Sequence, residues 1–331
     1  MFYSLPIEVQ LDVLKCLNFN QLFSFKQINF YSLNLINKYE NGLARMYFSW
    51  LEIGYYNFIS FQEKGYKIIV PESVTSEFIL NDQLLEKWKA AIARSIPLYL
   101  VYDIEEYDEF AEFSICLVRP KFLLKLPNIP KNIEEMLIIR FWLEQLFKCA
   151  FREGSFGEIV LNPEMINLLF DNDKTIPLQF NTKYFSNNLF ENNTVENILK
   201  FVSNHLTSTD LKLNLQYVED VEQYINILFN ILTNEGNKFH KIYLRSFKVA
   251  SLHDLLIEYI TTSRDCSKMV ADIHLEYIPY PKFKLHKNAK NARRCTDLNI
   301  IKYEFVNIYN PEVRYLFTNW SGSTFIKRMW E

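Results

Sequence analysis

A short apolar pattern that recurs through the second half of the chain constrains the fold more than any other feature. It reads apolar-x-apolar-x-x-apolar: Leu213, Leu215, Val218; Ile242, Leu244, Phe247; Ile273, Leu275, Ile278; and Tyr303, Phe305, Ile308. The starting residues lie 29, 31 and 30 positions apart. An imperfect earlier copy is Leu178 and Phe180, with Lys183 in the third place. Alternation of period two argues for strands with one buried face. Helical patterns fill three of the gaps. Val195, Ile198, Leu199, Val202 and Leu206 form the first, and Val221, Tyr224, Ile225, Leu228 and Leu232 the second, stopping near Gly236. Ser251, with Asp254 three residues on, opens the third in the manner of a capping box, before Leu255, Leu256, Tyr259 and Ile260.

Strand, helix, strand at this spacing is a βα unit, because parallel strands need a crossover of a dozen or more residues. The period is close to that of leucine-rich repeats. Val218, Phe247, Ile278 and Ile308 occupy the phase where such repeats carry Asn. The expected fold class is therefore α/β, with an irregular leucine-rich-repeat-like βα domain over residues 156–331 and a mostly parallel, curved sheet. A closed or doubly wound α/β domain is the structural alternative. Only the solenoid leaves a long concave surface for a partner.

Residues 53–155 mix the same ingredients without a clean period. Lys67 to Val70 before Pro71 reads as a strand, and Leu84, Leu85, Trp88 and Ala91 make a helical face. Leu98 to Tyr102 is an apolar run, and Leu123, Leu124 and Leu126 lead into Pro127 and Pro130. Asn132 to Cys149 reads as an amphipathic helix. No Gly/Ser-rich or Pro-rich linker divides the chain, so this region is expected to be fused to the repeats.

The N-terminus has a different character. In MFYSLPIEVQLDVLKCL, the residues Ile7, Val9, Leu11, Val13, Leu14 and Leu17 sweep an arc of about 200° at 3.6 residues per turn. A stripe a little over about 100° wide is enough to face a core, so the surplus predicts a partner. Pro6 suits a first helical turn, and Glu8 sits at the positive end of the dipole. Asn20 is the expected cap of a second helix bearing Leu22, Phe25 and Ile28, and Ser32 the expected cap of a third with Leu35, Ile36, Tyr39 and Leu43. Three short helices in residues 1–52 bury little surface alone and must dock on something.

From Leu5 to about Leu51 the chain resembles an F-box. Leu5, Pro6, Glu8, Val13, Leu17, Leu22 and Ile28 fall on that pattern. KCLNFNQLFSFKQIN, followed by INKYE and GLAR, is similar to the divergent F-box of parasitic nematode proteins, and LEKWKAAIARSIPLYL, NPEMINLLF, IPLQF and SRDCSKMVADI extend the resemblance along the chain. Phe30-Tyr31 stand where many F-boxes carry a basic residue and a tryptophan. The resemblance implies a substrate receptor of a Skp–cullin–F-box ubiquitin ligase. Its partners would be a Skp-family adaptor, cullin through that adaptor, and a protein target held by the C-terminal domain. The expected adaptor-facing residues are Leu5, Pro6, Ile7, Leu11 and Leu14, with Leu22, Phe23 and Lys26 from the second helix. Leu14 and Leu22 have core as their alternative role. The rival reading keeps the architecture without the ubiquitin link: a repeat scaffold whose N-terminal helices cap its open end.

Composition narrows the remaining classes. A net charge of −3 gives no global case for nucleic acid, no apolar run reaches the ~18 residues of a membrane span, and no basic n-region precedes the first helix. Cys16, Cys116, Cys149, Cys266 and Cys295 are odd in number and scattered, which suits reduced thiols in an intracellular protein. The acidic stretch Asp103 to Glu112 and the basic stretch Lys282, Lys284, Lys287, Lys290, Arg293, Arg294 are expected to be solvated connections. The basic stretch also carries a third hypothesis, nucleic-acid binding.

Catalytic patterns are missing from the linear sequence. His205, His240, His253, His274 and His286 lack metal spacing. Neither a phosphate loop nor a Gly-x-Ser-x-Gly elbow occurs. The expectation is a non-catalytic adaptor without cofactor or metal.

Overall fold

Asparagine does much of the local work of starting helices in this chain. The computed structural model describes residues 2–73, 78–101, 111–156, 159–171, 176–189, 192–246, 250–277, 285–295, 300–320 and 322–329. Three short helices come first: α1 (Ile7–Lys15), α2 (Phe19–Lys26) and α3 (Phe30–Tyr39). Next come β1 (Met46–Asn57), α4 (Phe58–Glu63), β2 (Lys67–Ile69), α5 (Asp82–Ala93), β3 (Tyr99–Val101), β4 (Ala111–Val118), β5 (Phe122–Leu124) and α6 (Ile133–Phe147). Then follow β6 (Cys149–Phe156), β7 (Ile159–Leu161), α7 (Pro163–Phe170), β8 (Phe180–Asn188), α8 (Asn192–His205), β9 (Leu206–Asn214), α9 (Ile225–Asn234), β10 (Phe239–Ser246), α10 (Ala250–Thr262) and β11 (Asp272–Tyr277). The last strands are β12 (Lys290–Cys295), β13 (Ile300–Val306), β14 (Arg314–Trp320) and β15 (Ser323–Met329). Asn18, Asn29, Asn57, Asn81, Asn132 and Asn162 each sit at an N-cap and accept a backbone N–H of the first turn. Asn18 and Gln21 close a reciprocal capping box. The caps expected at Asn20 and Ser32 therefore lie two and three residues upstream, at Asn18 and Asn29. Ser251 lies inside α10, and its hydroxyl donates to Glu222 at 3.0 Å rather than capping the helix.

The protein is α/β. Among the described residues, thirteen strands form one sheet in the order β12-β13-β14-β15-β11-β10-β9-β8-β6-β1-β4-β5-β2, and β3 pairs antiparallel with β7 in a separate two-stranded sheet. The centre of the large sheet, β1-β6-β8-β9-β10-β11, is parallel. Its flanks are largely antiparallel: β1-β4-β5 on one side and β11-β15-β14-β13-β12 on the other. β2 joins β5 in parallel at the far edge. One hydrophobic core runs from Phe48 to Ile326 and includes residues of α5 through α10.

The sheet is thus mixed, which corrects the expectation of a mostly parallel one. β10 and β11 hold the second and third copies of the pattern in register, with Ile242 opposite Ile273 and Leu244 opposite Leu275. The first copy is out of phase by two residues, because Leu211, not Leu213, lies opposite Ile242. The fourth copy is not the next unit at all: Tyr303 and Phe305 lie on β13, with β14 and β15 between it and β11. Phe247 and Ile278 fall outside the described residues. Connection length explains the change of direction. Helices α8, α9 and α10 carry the chain between the parallel strands, whereas only two residues separate β14 from β15. So short a link permits only a hairpin, and Gly322 in it takes φ +84°.

The phase that the strands do share is apolar-x-x-apolar-x-apolar. Inward-facing triplets are Phe48, Leu51, Ile53; Phe151, Gly154, Phe156; Thr182, Phe185, Asn187; Ser208, Leu211, Leu213; and Phe239, Ile242, Leu244, all buried. Val270, Ile273 and Leu275 continue the series at β11. Strict alternation would turn the first member of each triplet away from the other two. Each strand therefore slips once, placing two successive residues outward: Ser49-Trp50, Arg152-Glu153, Lys183-Tyr184, Thr209-Asp210 and His240-Lys241. The slips fall at one level of the sheet, since Phe48 pairs Phe151, Phe151 pairs Thr182, Thr182 pairs Ser208 and Ser208 pairs Phe239. Gly154 stands in an apolar position because Phe185 and Thr182 already fill it: a Cβ there would meet both side chains at 3.0 Å.

Candidate functional site

Two surfaces expose apolar or aromatic side chains: the face of the N-terminal helices and the outward face of the parallel strands.

Helices α1–α3 enclose a small core of their own, made of Leu14, Leu22, Leu35, Ile36 and Leu43, with Phe2, Leu11, Leu17, Phe25 and Tyr39 packed around it. It is separate from the main core. A polar clasp ties the start of the chain to α3. Tyr3 shares a hydrogen bond with Ser32 at 3.1 Å, Asn29 donates to Tyr3 at 2.7 Å, and buried Gln10 donates to the Leu5 carbonyl at 2.8 Å while accepting from Tyr31 at 2.9 Å. Toward the rest of the protein, Arg45 donates to the Phe147 carbonyl at 2.9 Å, and Lys148 bridges Glu40 at 3.2 Å and Glu144 at 2.9 Å. Burial lowers the Arg45 pKa, against the opposing effect of Cys149 and Glu40. A crevice of about 580 Å³ opens between the two parts, lined among others by Phe19, Phe23, Lys26, Ile36, Arg45 and Lys148.

The eight residues expected at the adaptor face separate cleanly. Leu14 and Leu22 are 0% and 3% exposed, so they hold the module together and present no surface. Leu5, Leu11 and Lys26 are half-buried, while Pro6, Ile7 and Phe23 are exposed, Phe23 by 54%. Val9 and Val13, absent from the expected set, are each 43% exposed, and Phe30 is 76% exposed. The helical period gave the reason in advance: Val9 and Val13 lie across the helix from the side that Leu14 and Leu11 turn inward. The N-terminal helices do not spend their apolar arc on covering the end of the sheet.

The second surface is the outward side of the parallel strands. Parallel sheets occur almost only with both faces covered. Here α5 to α10 share the core with the inward triplets, and the outward positions are exposed or half-exposed polar and aromatic residues. Register puts Trp50, Glu153, Tyr184, Asp210, Lys241 and Asp272 in one row, and Ser155, Ser186, Lys212, Tyr243, His274 and Phe325 in the next. Tyr243 meets His274 edge-on at 4.5 Å, His274 stacks on Phe325 at 4.0 Å, and Lys212 lies over Tyr243 at 5.2 Å. A shallow groove of about 430 Å³ runs between Trp50, Tyr184 and Tyr243. His274 lies on the side opposite Ile273 and Leu275 and is only half-exposed, because its neighbours cover part of the ring. Burial lowers its pKa to about 4, with Lys241 adding to the effect. Asp272 and Glu276 share this face, and Glu276 pairs with Arg245 at 3.7 Å.

The buried ionisable groups are structural in their geometry. Arg140, 3% exposed, donates to the Leu169 carbonyl at 2.5 Å and lies between the rings of Phe78 and Phe170, at 3.8 and 4.5 Å. Burial pushes the Cys116 thiol up to about 11 and the Cys149 thiol up to about 12, far from the range of a reactive thiolate. Most of the acidic stretch, Asp103 to Glu109, and Lys282 and Lys284 of the basic stretch lie outside the described residues. Lys290, Arg293 and Arg294 fall on β12, so that part of the basic stretch is a strand rather than a connection. Among the described residues, no helix is long and apolar enough to cross a membrane.

No curated protein and no solved structure matches this chain. Residues 69–216, from the end of β2 to just beyond β9, are similar to a family described as a domain of unknown function, DUF8381.

Proposed function

We propose that the protein is a substrate receptor of a Skp–cullin–F-box ubiquitin ligase: the N-terminal helices dock a Skp-family adaptor, and the sheet domain holds a protein target. The observation that carries this reading is a module with a private core whose remaining apolar side chains, Pro6, Ile7, Val9, Val13 and Phe23, face outward. These positions sit in the stretch whose Leu5-Pro6-x-Glu8 pattern resembles an F-box. The rival role of end-capping would bury the same side chains against the strands. Such a receptor works by proximity: it holds the target while other subunits perform the transfer, raising effective concentration without a reactive group of its own.

The target-holding surface in this reading is the outward face of β1, β6, β8, β9, β10 and β11. The triplets recur at intervals of 31, 26, 31 and 31 residues from Phe151 to Val270, and their stacking supports a leucine-rich-repeat-like, curved arrangement over this part of the chain. Trp50, Tyr184 and Tyr243 are of the residue types that dominate binding hot spots.

The test is a pull-down of the full chain with a Skp-family adaptor, comparing wild type with a Pro6→Asp, Phe23→Asp double variant. Wild type should bind and the variant should lose binding with an unchanged circular dichroism spectrum. Failure of the wild type to bind overturns the reading.

A further inference from the structure

The basic stretch that the sequence singles out ends on a free edge of the large sheet. Among the described residues, β12 is the terminal strand, paired on one side only, to β13. All six of its residues, Lys290 to Cys295, are exposed. It presents Lys290, Arg293 and Arg294, with Lys287 just before it and Lys302 opposite Arg293. None of these five cations forms an ion pair with a described residue. Glu304, opposite Lys290, accepts instead from Asn291 at 2.9 Å. Elsewhere surface lysines find carboxylates: Lys87 meets Asp171, Lys200 meets Glu196 and Lys238 meets Glu235. The whole chain is net negative at −3, so this concentration of unpaired positive charge runs against the overall balance.

An exposed edge strand offers a row of backbone donors and acceptors that another strand can complete. Positive charge there repels basic strands, disfavours apolar ones because the cations would lose water, and selects an acidic one, whose side chains would lie with Cβ atoms about 5 Å from those of the cations they face. We infer that β12 docks an extended, acidic segment of a partner protein, which adds to the sheet as a further strand. A nucleic acid fits the edge less well. It has no backbone ladder to match, and the described stretch Lys290 to Cys295 carries no aromatic ring on which a base could stack. This inference does not rest on the adaptor reading, since the strand lies at the sheet's far end and the assay omits the adaptor.

The probes are a short labelled Glu-Val repeat peptide, the same peptide N-methylated at every residue, a Lys-Val repeat, and a poly-uridine oligomer of matched charge, each titrated against the full chain by fluorescence anisotropy. The Glu-Val peptide should bind, and its affinity should fall as salt rises. An Arg293→Glu, Arg294→Glu double variant should weaken it about tenfold, judged from the exposed pair lost on one face and the repulsion from the two new carboxylates. N-methylation, which keeps charge but removes ladder donors, should abolish binding. Absence of Glu-Val binding would leave the charges as protection against edge pairing and overturn the inference. Equal binding of the N-methylated peptide, or tighter binding of poly-uridine, would overturn it as well. Circular dichroism of the double variant keeps a folding defect apart from a lost contact.

Discussion

Replacing Asn187 with leucine should make the protein more stable. Asn187 takes an inward position on β8, between Phe156 on β6 and Leu213 on β9, and is 2% exposed. Neither its amide nitrogen nor its amide oxygen has a hydrogen-bond partner among the described residues. Burying an amide without compensation costs about 1–3 kcal/mol by the mutational measure, and an apolar group of similar shape removes that cost. Leucine adds apolar area to the core but is somewhat larger, and overpacking typically costs about 1–3 kcal/mol. Valine avoids most of that strain. The better of Asn187→Leu and Asn187→Val should therefore gain about 1–2 kcal/mol, a factor of about 5–30 in the folded-to-unfolded ratio. The measurement is urea unfolding followed by circular dichroism, where the midpoint should rise with an unchanged slope. Ser186→Val on the exposed outward face serves as control and should change little. If both substitutions at position 187 lower the midpoint, the amide is satisfied in the folded protein and the reasoning fails.

Two further outcomes follow from a buried group and a closely packed one. His205 is 2% exposed, its Nδ1–H donates to the Leu178 carbonyl at 3.0 Å, and its Nε2 has no partner among the described residues. Burial holds its pKa down at about 4. The unfolded chain binds this proton below about pH 6.5 while the folded protein does not, so stability falls as pH drops from about 6.5 to 4, by about 3 kcal/mol in all. In His205→Gln the slope of stability against pH across that window should flatten; an unchanged slope would show that the loss comes from other groups. Gly236 is the second case. A Cβ there would meet the Met269 and Lys268 carbonyl oxygens at 2.6 and 2.7 Å, so Gly236→Ala should lower the urea midpoint, by about 1–3 kcal/mol. Gly42→Ala, with open space around its Cβ, should not.

The local period read from the sequence located most helices and many strands. Asn132 caps α6, Leu84, Trp88 and Ala91 turn inward from α5, and Lys67 to Ile69 forms β2. These follow from which side of a segment is apolar, a property of neighbours in the chain. The N-caps show how far that reaches. Asn20 and Ser32 sit where a cap would suit the apolar spacing, yet Asn18 and Asn29 take the role because they are the residues with extended backbone between the turn that closes one helix and the first turn of the next.

What the amino-acid sequence determined by itself is that residues from Leu5 onward form short helices with more apolar arc than they can bury, and that residues 180–277 alternate strands with helices. Only the tertiary structure decided how that arc is shared, sending Leu14 and Leu22 into a private core and leaving Val9, Val13 and Phe23 outside. Only the tertiary structure decided, too, that Tyr303 and Phe305 belong to an antiparallel flank rather than to the next parallel unit. An apolar period states which face of a segment seeks burial. It carries no record of which partner strand supplies the cover, because pairing direction depends on the length and path of the connection, and exposure depends on everything packed nearby.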